Sequence, residues 1–152
     1  MVLILDNIRS ASNVGALFRT ADGLGIQHLY LCGITAVPPN KEIQKTALGA
    51  TESVNWSYHQ TSEEVIQHLL KSGALVVALE QADNSVHLDN CSLPKTAEIA
   101  LVVGNEVEGI QQHVVQLCTM VVEIPQKGMK KSLNVSVAAG IAMWELLKKQ
   151  LP

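Results

Sequence analysis

Asn13 and Arg19 fall in a stretch whose apolar residues Val14, Leu17, Phe18 and Ala21 have helical spacing. A guanidinium is a permanently charged fork of donors, suited to holding a phosphate or a developing alkoxide and unsuited to taking up a proton. Arg19 can equally form a surface ion pair with Asp22 at i+3. Asn13, with Ser12, can equally cap the helix. A second polar group, Gly104-Asn105-Glu106, follows the apolar run Ile99–Val103. Glu106 there can position an arginine, accept a hydrogen bond from a ligand, or sit in a first helical turn favoured by the helix dipole. A third group, Ser132, Asn134 and Ser136, stands at the N-terminal end of the last apolar run, where a helix presents free N–H groups. Asn134 can meet a ligand or cap that helix, and Ser136 reads as packing. Lys127, Lys130 and Lys131 form a local basic loop that binds phosphate or is simply solvated.

The elements that must position these groups alternate. Residues 2–5, His28–Cys32, Val54–Tyr58, Ala74–Leu79, Ile99–Val103 and Val121–Ile124 read as strands. Helical patterns run from about Ser12 to Gly23, over Glu42–Leu48 and Glu63–Leu70, from Gly109 to Leu117, and from about Ser132 to Leu147. Gln81–Lys95 reads as loop. The continuous apolar runs at Ala74–Leu79 and Ile99–Val103 suit central parallel strands covered on both faces. The class is α/β, a mostly parallel sheet flanked by helices. Ligands of such sheets bind beyond the carboxyl ends of the strands, here Leu79-Glu80-Gln81, Gly104-Asn105-Glu106 and Ile124–Gly128. The last helix is apolar on nearly every side, so a second surface, another subunit, is expected to cover it.

Composition narrows the function. The 152 residues carry 11 basic and 14 acidic side chains, a net charge of −3, so RNA contact must rest on a local patch. Cys32, Cys91 and Cys118 are scattered, as are the five histidines, and no metal-ligand spacing is present. No G-x-G-x-x-G follows the first strand, and Gly104-x-x-x-x-Gly109 lacks the Lys-Ser/Thr of a phosphate loop, which disfavours dinucleotide and P-loop enzymes. No run reaches the roughly 18 apolar residues that span a bilayer. The opening run is too short for a signal peptide, and the expected location is cytoplasmic.

Three segments together resemble the SpoU (TrmH-type) RNA 2′-O-ribose methyltransferases of the SPOUT superfamily. Asn13–Arg19 matches N-x-G-x-x-x-R, and Gly104–Gly109 matches G-N-E-x-x-G. Ile124-Pro125, Gly128 and Ser132–Ala138 match I-P-M-x-G-x-x-x-S-L-N-V-S-V-A, except that Gln126 stands where the family usually has Met. Order and spacing agree along essentially the whole chain.

The resemblance implies one SpoU-type domain over residues 1–152, with a C-terminal trefoil knot and cofactor site at about 74–147 and no separate RNA-binding domain. It implies S-adenosylmethionine as cofactor, held by Leu79, Glu80, Gly104, Asn105, Gly109, Ile124, Gly128, Ser132 and Leu133. It assigns Arg19, Asn13, Glu106 and Asn134 to catalysis and no metal. Arg9, Arg19, Lys127, Lys130 and Lys131 are the candidate RNA contacts. Aromatic residues make up only 3% of the chain, thin for base stacking. Recognition by shape is therefore expected, of a tRNA sooner than an rRNA, across a homodimer joined through the C-terminal helix. An accessory protein is an open possibility. The alternative reading is a non-catalytic RNA- or ribosome-binding factor on the same scaffold. A base methyltransferase on a related knotted fold is disfavoured by the ribose-type motifs.

Overall fold

Residues of the first strand, β1 (Val2–Asp6), alternate between two cores, as the two-residue period of an extended chain requires. Leu3 and Leu5 join the larger core, with Leu17, Phe18, Ile43, Ala139, Met143 and Leu146. Val2 and Ile4 join the smaller, with Val65, Ile66, Leu69, Val114 and Val115. Both faces of the strand are therefore covered, which explains its unbroken apolar sequence.

The structure is a computed structural model describing all 152 residues. The other strands are β2 (His28–Cys32), β3 (Asn55–His59), β4 (Leu75–Leu79), β5 (Val86–His87), β6 (Ile99–Val103) and β7 (Met120–Glu123). They form one seven-stranded sheet in the order β3-β2-β1-β6-β4-β7-β5. Every pairing is parallel; Ile4 lies opposite Tyr30 on one side and Val102 on the other, and Val77 lies between Leu101 and Met120. From β1 the chain steps outward to β3, then returns to build β4, β6 and β7 on the opposite side. Such a reversal leaves a crevice beyond the strands' carboxyl ends.

The helices are α1 (Ala11–Leu24), α2 (Lys41–Ala47), α3 (Ala50–Ser53), α4 (Ser62–Lys71), α5 (Gln112–Val115) and α6 (Val135–Gln150). Residues of α1, α2, α3 and α6 enter the larger core, and those of α4 and α5 the smaller. Helix α1 starts ahead of both expected caps: Ser10 accepts from the Asn13 N–H at 3.2 Å, and Gly25, at φ 69°, closes the helix.

Four local expectations change. The helix expected over Gly109–Leu117 is the single turn α5, because Asn105 Oδ1 takes the Val107 and Glu108 N–H groups and bends 105–109 into a turn. The loop expected at Gln81–Lys95 contains the short strand β5 and a 3₁₀ turn at Leu88–Asn90. The one-turn helix α3 is additional. Helix α6 starts after its cap Asn134, so Ser132 and Leu133 belong to the preceding loop. It buries Ala139, Ala142, Met143 and Leu146 but leaves Val137, Ile141 and Trp144 exposed, Trp144 by 60%. No helix is long and apolar enough to cross a membrane.

Candidate active site

Glu106 follows β6 and reaches to the start of α1. Its Oε2 accepts the Arg9 N–H at 2.8 Å, and its Oε1 accepts the Ser10 N–H and the Asn13 side-chain amide, each at 3.0 Å. Partial burial pushes the carboxyl up, but these donors outweigh it and hold its pKa below the usual glutamate value. Glu106 is thus not a first-turn residue of its own helix: it secures the N-terminus of α1 from a distant segment.

Asn13 continues the connection. Its Oδ1 accepts from Asn134 Nδ2 at 3.2 Å, while Asn134 Oδ1 accepts the Ser136 N–H at 2.9 Å, the Val137 N–H at 3.4 Å and the Ser136 hydroxyl at 2.6 Å. A string Glu106–Asn13–Asn134–Ser136 therefore joins three segments far apart in sequence. Asn134 is the helix cap and part of this string at once. Ser136, read as packing from the sequence, helps to orient the Asn134 amide instead.

Beside the string a cleft of about 470 Å³ opens at the carboxyl ends of β4, β6 and β7. Leu79, Glu80, Gly104, Asn105, Gly109, Ile124, Ser132 and Leu133, all expected to hold a cofactor, line it, as do Glu106 and Asn134. Gly128 does not line it and stands in open space.

Most polar side chains of the cleft are committed to building it. Glu80 accepts the Gln81 N–H at 2.9 Å and the Ile110 N–H at 2.8 Å. Asn105 donates to the Asn7 carbonyl at 2.9 Å and holds its own turn. Gly109 has φ 69°, and a Cβ there would lie 2.2 Å from Glu80 Oε2. Gly104 is required for packing within the turn: a Cβ would meet the Gly109 and Ile110 backbone at 2.6 Å. Its close approach is to its own loop. Gln81 Nε2 donates to the Lys131 carbonyl at 3.0 Å, tying the basic loop to β4.

Sequence reasoning did not assign Val103, Val107, Glu108, Glu123, Gln126, Val135 and Ala138 to the cleft, although all line it. Strand ends and helix starts were the available signal. Gln126, which departs from the motif within the strand-end stretch Ile124–Gly128, donates from Nε2 to the Ile124 carbonyl at 3.1 Å.

Arg19 is exposed on α1 and does not line the cleft. It forms no ion pair, and Asp22 instead accepts from the Ser53 hydroxyl at 2.6 Å. The surface-pair explanation for Arg19 is thereby removed. Arg9, Lys127, Lys130 and Lys131 are exposed, and none has a carboxylate within ion-pair distance. Of the five, only Lys131 lines the cleft. Burial and the nearby Asp6 charge push the Cys32 and Cys118 thiols up to about 12, which disqualifies them as nucleophiles at neutral pH.

A parallel sheet with a pinned cleft at its carboxyl edge defines an α/β ligand-binding domain. The SpoU rRNA Methylase family model matches residues 1–144, and the chain belongs to that family. It is 32% identical over 151 residues to the Neisseria meningitidis 23S rRNA (guanosine-2′-O-)-methyltransferase RlmB, covering 99% of this chain and 59% of the relative. An AdoMet-bound rRNA methyltransferase from Sinorhizobium meliloti superposes with TM-score 0.88 at 26% identity, covering 99% of this chain and 57% of that one. A structure concerned with the 2-OH methylation of C/U34 on tRNA superposes with TM-score 0.83 at 26% identity, covering 97% of this chain and 93% of that one. The chain thus spans about 59% of the length of the curated relative, which carries additional sequence.

Proposed function

We propose that the protein is an S-adenosylmethionine-dependent RNA methyltransferase acting on a ribose 2′-hydroxyl, of tRNA in preference to rRNA. The observation that carries this reading is the string Glu106–Asn13–Asn134–Ser136, which draws all three motif segments to the rim of one cleft. The cleft is of the size that takes a drug-sized ligand, and its carboxylates suit a cationic one. Leu79, Gly104, Ile124 and Leu133 would hold the cofactor mainly by backbone groups, since neighbouring Glu80 and Asn105 are occupied. When bound, S-adenosylmethionine supplies the electrophilic methyl group.

The residues of this chain then position and polarise. Arg19 is the catalytic residue of the proposal: its free fork holds a substrate phosphate and stabilises the incipient alkoxide. Glu106 is unsuited to be the base, because its oxygens already accept three N–H bonds and its pKa is lowered. With Asn13 and Asn134 it is a positioning residue, fixing α1, which carries Arg19, against the start of α6. Arg9, Lys127, Lys130 and Lys131 hold the RNA backbone.

Preference for tRNA is supported by the likeness in fold, at 26% identity, to the structure concerned with the 2-OH methylation of C/U34 on tRNA. The homodimer is supported by the exposed Val137, Ile141 and Trp144 of α6, of which Ile141 and Trp144 border a groove with Leu88, Ile124 and Pro125. The trefoil knot belongs to the same proposal, in keeping with the tie between Gln81 and Lys131. Three free cysteines agree with a cytoplasmic location.

Incubation with methyl-labelled cofactor and either total tRNA or rRNA tests the reading. Label in tRNA, recovered as a 2′-O-methylnucleoside, is expected. Label in rRNA alone would reassign the substrate. RNA binding without any transfer would leave the non-catalytic binding factor.

A further inference from the structure

The charged side chains lining the cleft are Glu80, Glu106, Glu108, Glu123 and Lys131, four carboxylates against one ammonium. Three of the four have partners. Glu80 and Glu106 hold backbone N–H groups, and Glu123 lies 3.3 Å from His87 Nε2. Glu108 alone is exposed at the tip of the 105–109 turn with its carboxylate making no hydrogen bond or ion pair. It does not build the loop, which is held by the Asn105 side chain and by the Gly109 N–H to the Asn105 carbonyl at 2.9 Å. Its charge is therefore available to whatever enters the cleft.

We infer that Glu108, reinforced by the other cleft carboxylates, makes the cleft select the charged methyl donor over its own demethylated product. This rests on the proposed identity of the cleft as the S-adenosylmethionine site. The donor carries a sulfonium and an ammonium against one carboxylate, so it is a net cation. Loss of the methyl group leaves a neutral thioether, and the product has no net charge. Shape and apolar contacts barely distinguish the two, whereas the excess of carboxylates attracts only the extra positive charge. Reaction thus discharges the occupant and weakens its hold, so fresh donor displaces product. Specificity of this kind is a difference between two affinities, and one free charge at the cleft mouth can set it.

Calorimetric titration with S-adenosylmethionine, S-adenosylhomocysteine and sinefungin tests this without turnover. Sinefungin carries an amine-bearing carbon in place of the methylsulfonium, and so a cation that cannot be transferred. At low salt both cations are expected to bind about threefold to tenfold more tightly than S-adenosylhomocysteine, the scale of a few partly screened charge pairs. High salt should shrink that ratio. Glu108→Gln should lower it about twofold to fourfold and Glu108→Lys further, while Glu52→Gln, on the exposed helix α3, should leave it unchanged. Equal or tighter binding of S-adenosylhomocysteine at low salt, or a ratio indifferent to both Glu108 variants, would overturn the inference while the cofactor site stands. Failure of all three ligands to bind would remove the site and the inference together.

Discussion

Replacing Glu106 with glutamine tests whether this residue is scaffold or chemistry. The change keeps the shape and removes one acceptor. Oε2 faces the Arg9 N–H, and Oε1 faces the Ser10 N–H and the Asn13 amide. Whichever way the new amide is turned, its NH₂ group must confront at least one donor. One charge-assisted hydrogen bond is lost and one N–H is left facing a donor. Such losses cost about 1.5–3 kcal/mol when buried, and at this partly exposed site about 1–2 kcal/mol is expected. Urea denaturation of both proteins should show a lower midpoint for Glu106→Gln at an unchanged slope. The pH dependence supplies a second, independent reading. The folded pKa of Glu106 lies below its unfolded value of about 4.5, so its stabilisation is present above that pH and lost as pH falls through the folded pKa. Glu63 and Glu145 are also lowered and lose stabilisation in the same acid range. The difference between wild type and Glu106→Gln isolates the Glu106 part: a gap near neutrality that closes as the solution is acidified. A variant as stable as wild type at pH 7, yet inactive, would refute the scaffold argument and return Glu106 to direct contact with ligand.

Arg19→Ala should lower kcat at least about a hundredfold, the usual cost of losing a transition-state donor, with cofactor affinity and melting temperature nearly unchanged because Arg19 has no ion-pair partner. A joint loss of cofactor binding and stability would instead mark a structural arginine. Changing Lys127, Lys130 and Lys131 together to alanine should weaken RNA binding for every sequence. The plot of log affinity against log salt should flatten by roughly two to three, as measured by filter binding. Trp144→Glu should place a charge on the exposed face of α6 and shift sedimentation from dimer to monomer, and an unaltered dimer would move the interface elsewhere.

The parts of the molecule legible in sequence are those governed by local pattern. His28–Cys32 and Ile99–Val103 are strands at the expected boundaries, because an apolar run between polar breaks states both its conformation and its burial. The stretch Gly109–Leu117 reads as a longer helix than the single turn α5 because Ile110, Val114 and Val115 keep helical spacing. Asn105 and the positive φ of Gly109 override that periodicity through contacts the pattern does not encode. The start of α1 shows the same limit. Ser12 and Asn13 are good caps by type, but Glu106 fixes the Arg9 and Ser10 N–H groups and sets the start earlier. Most residues that the resemblance assigns to a cofactor line the cleft while Asn13 and Arg19 do not, and their individual jobs were not visible. Glu106 and Asn13 are 93 positions apart, and nothing local to either says that one holds the other. Gly128 belongs to the motif without lining the cleft.

What the site does chemically depends on which of its groups remain free. Glu80, Asn105, Glu106, Asn13 and Asn134 all spend their hydrogen bonds on the walls, so the three strand-end loops and the two helix starts are held against one another before any ligand arrives. A rigid wall lets backbone groups read a cofactor at small entropic cost. Arg19 stands apart, exposed and unpartnered. Fixing such a side chain costs about 2 kcal/mol of rotamer entropy, which the walls do nothing to offset. A phosphate bound bidentately by the guanidinium can offset it, and RNA places one beside every ribose hydroxyl. On the proposed function the division of labour would be preformed walls for the methyl donor and an arginine ordered by the acceptor's anion. On that reading an RNA strand would complete the site that modifies it.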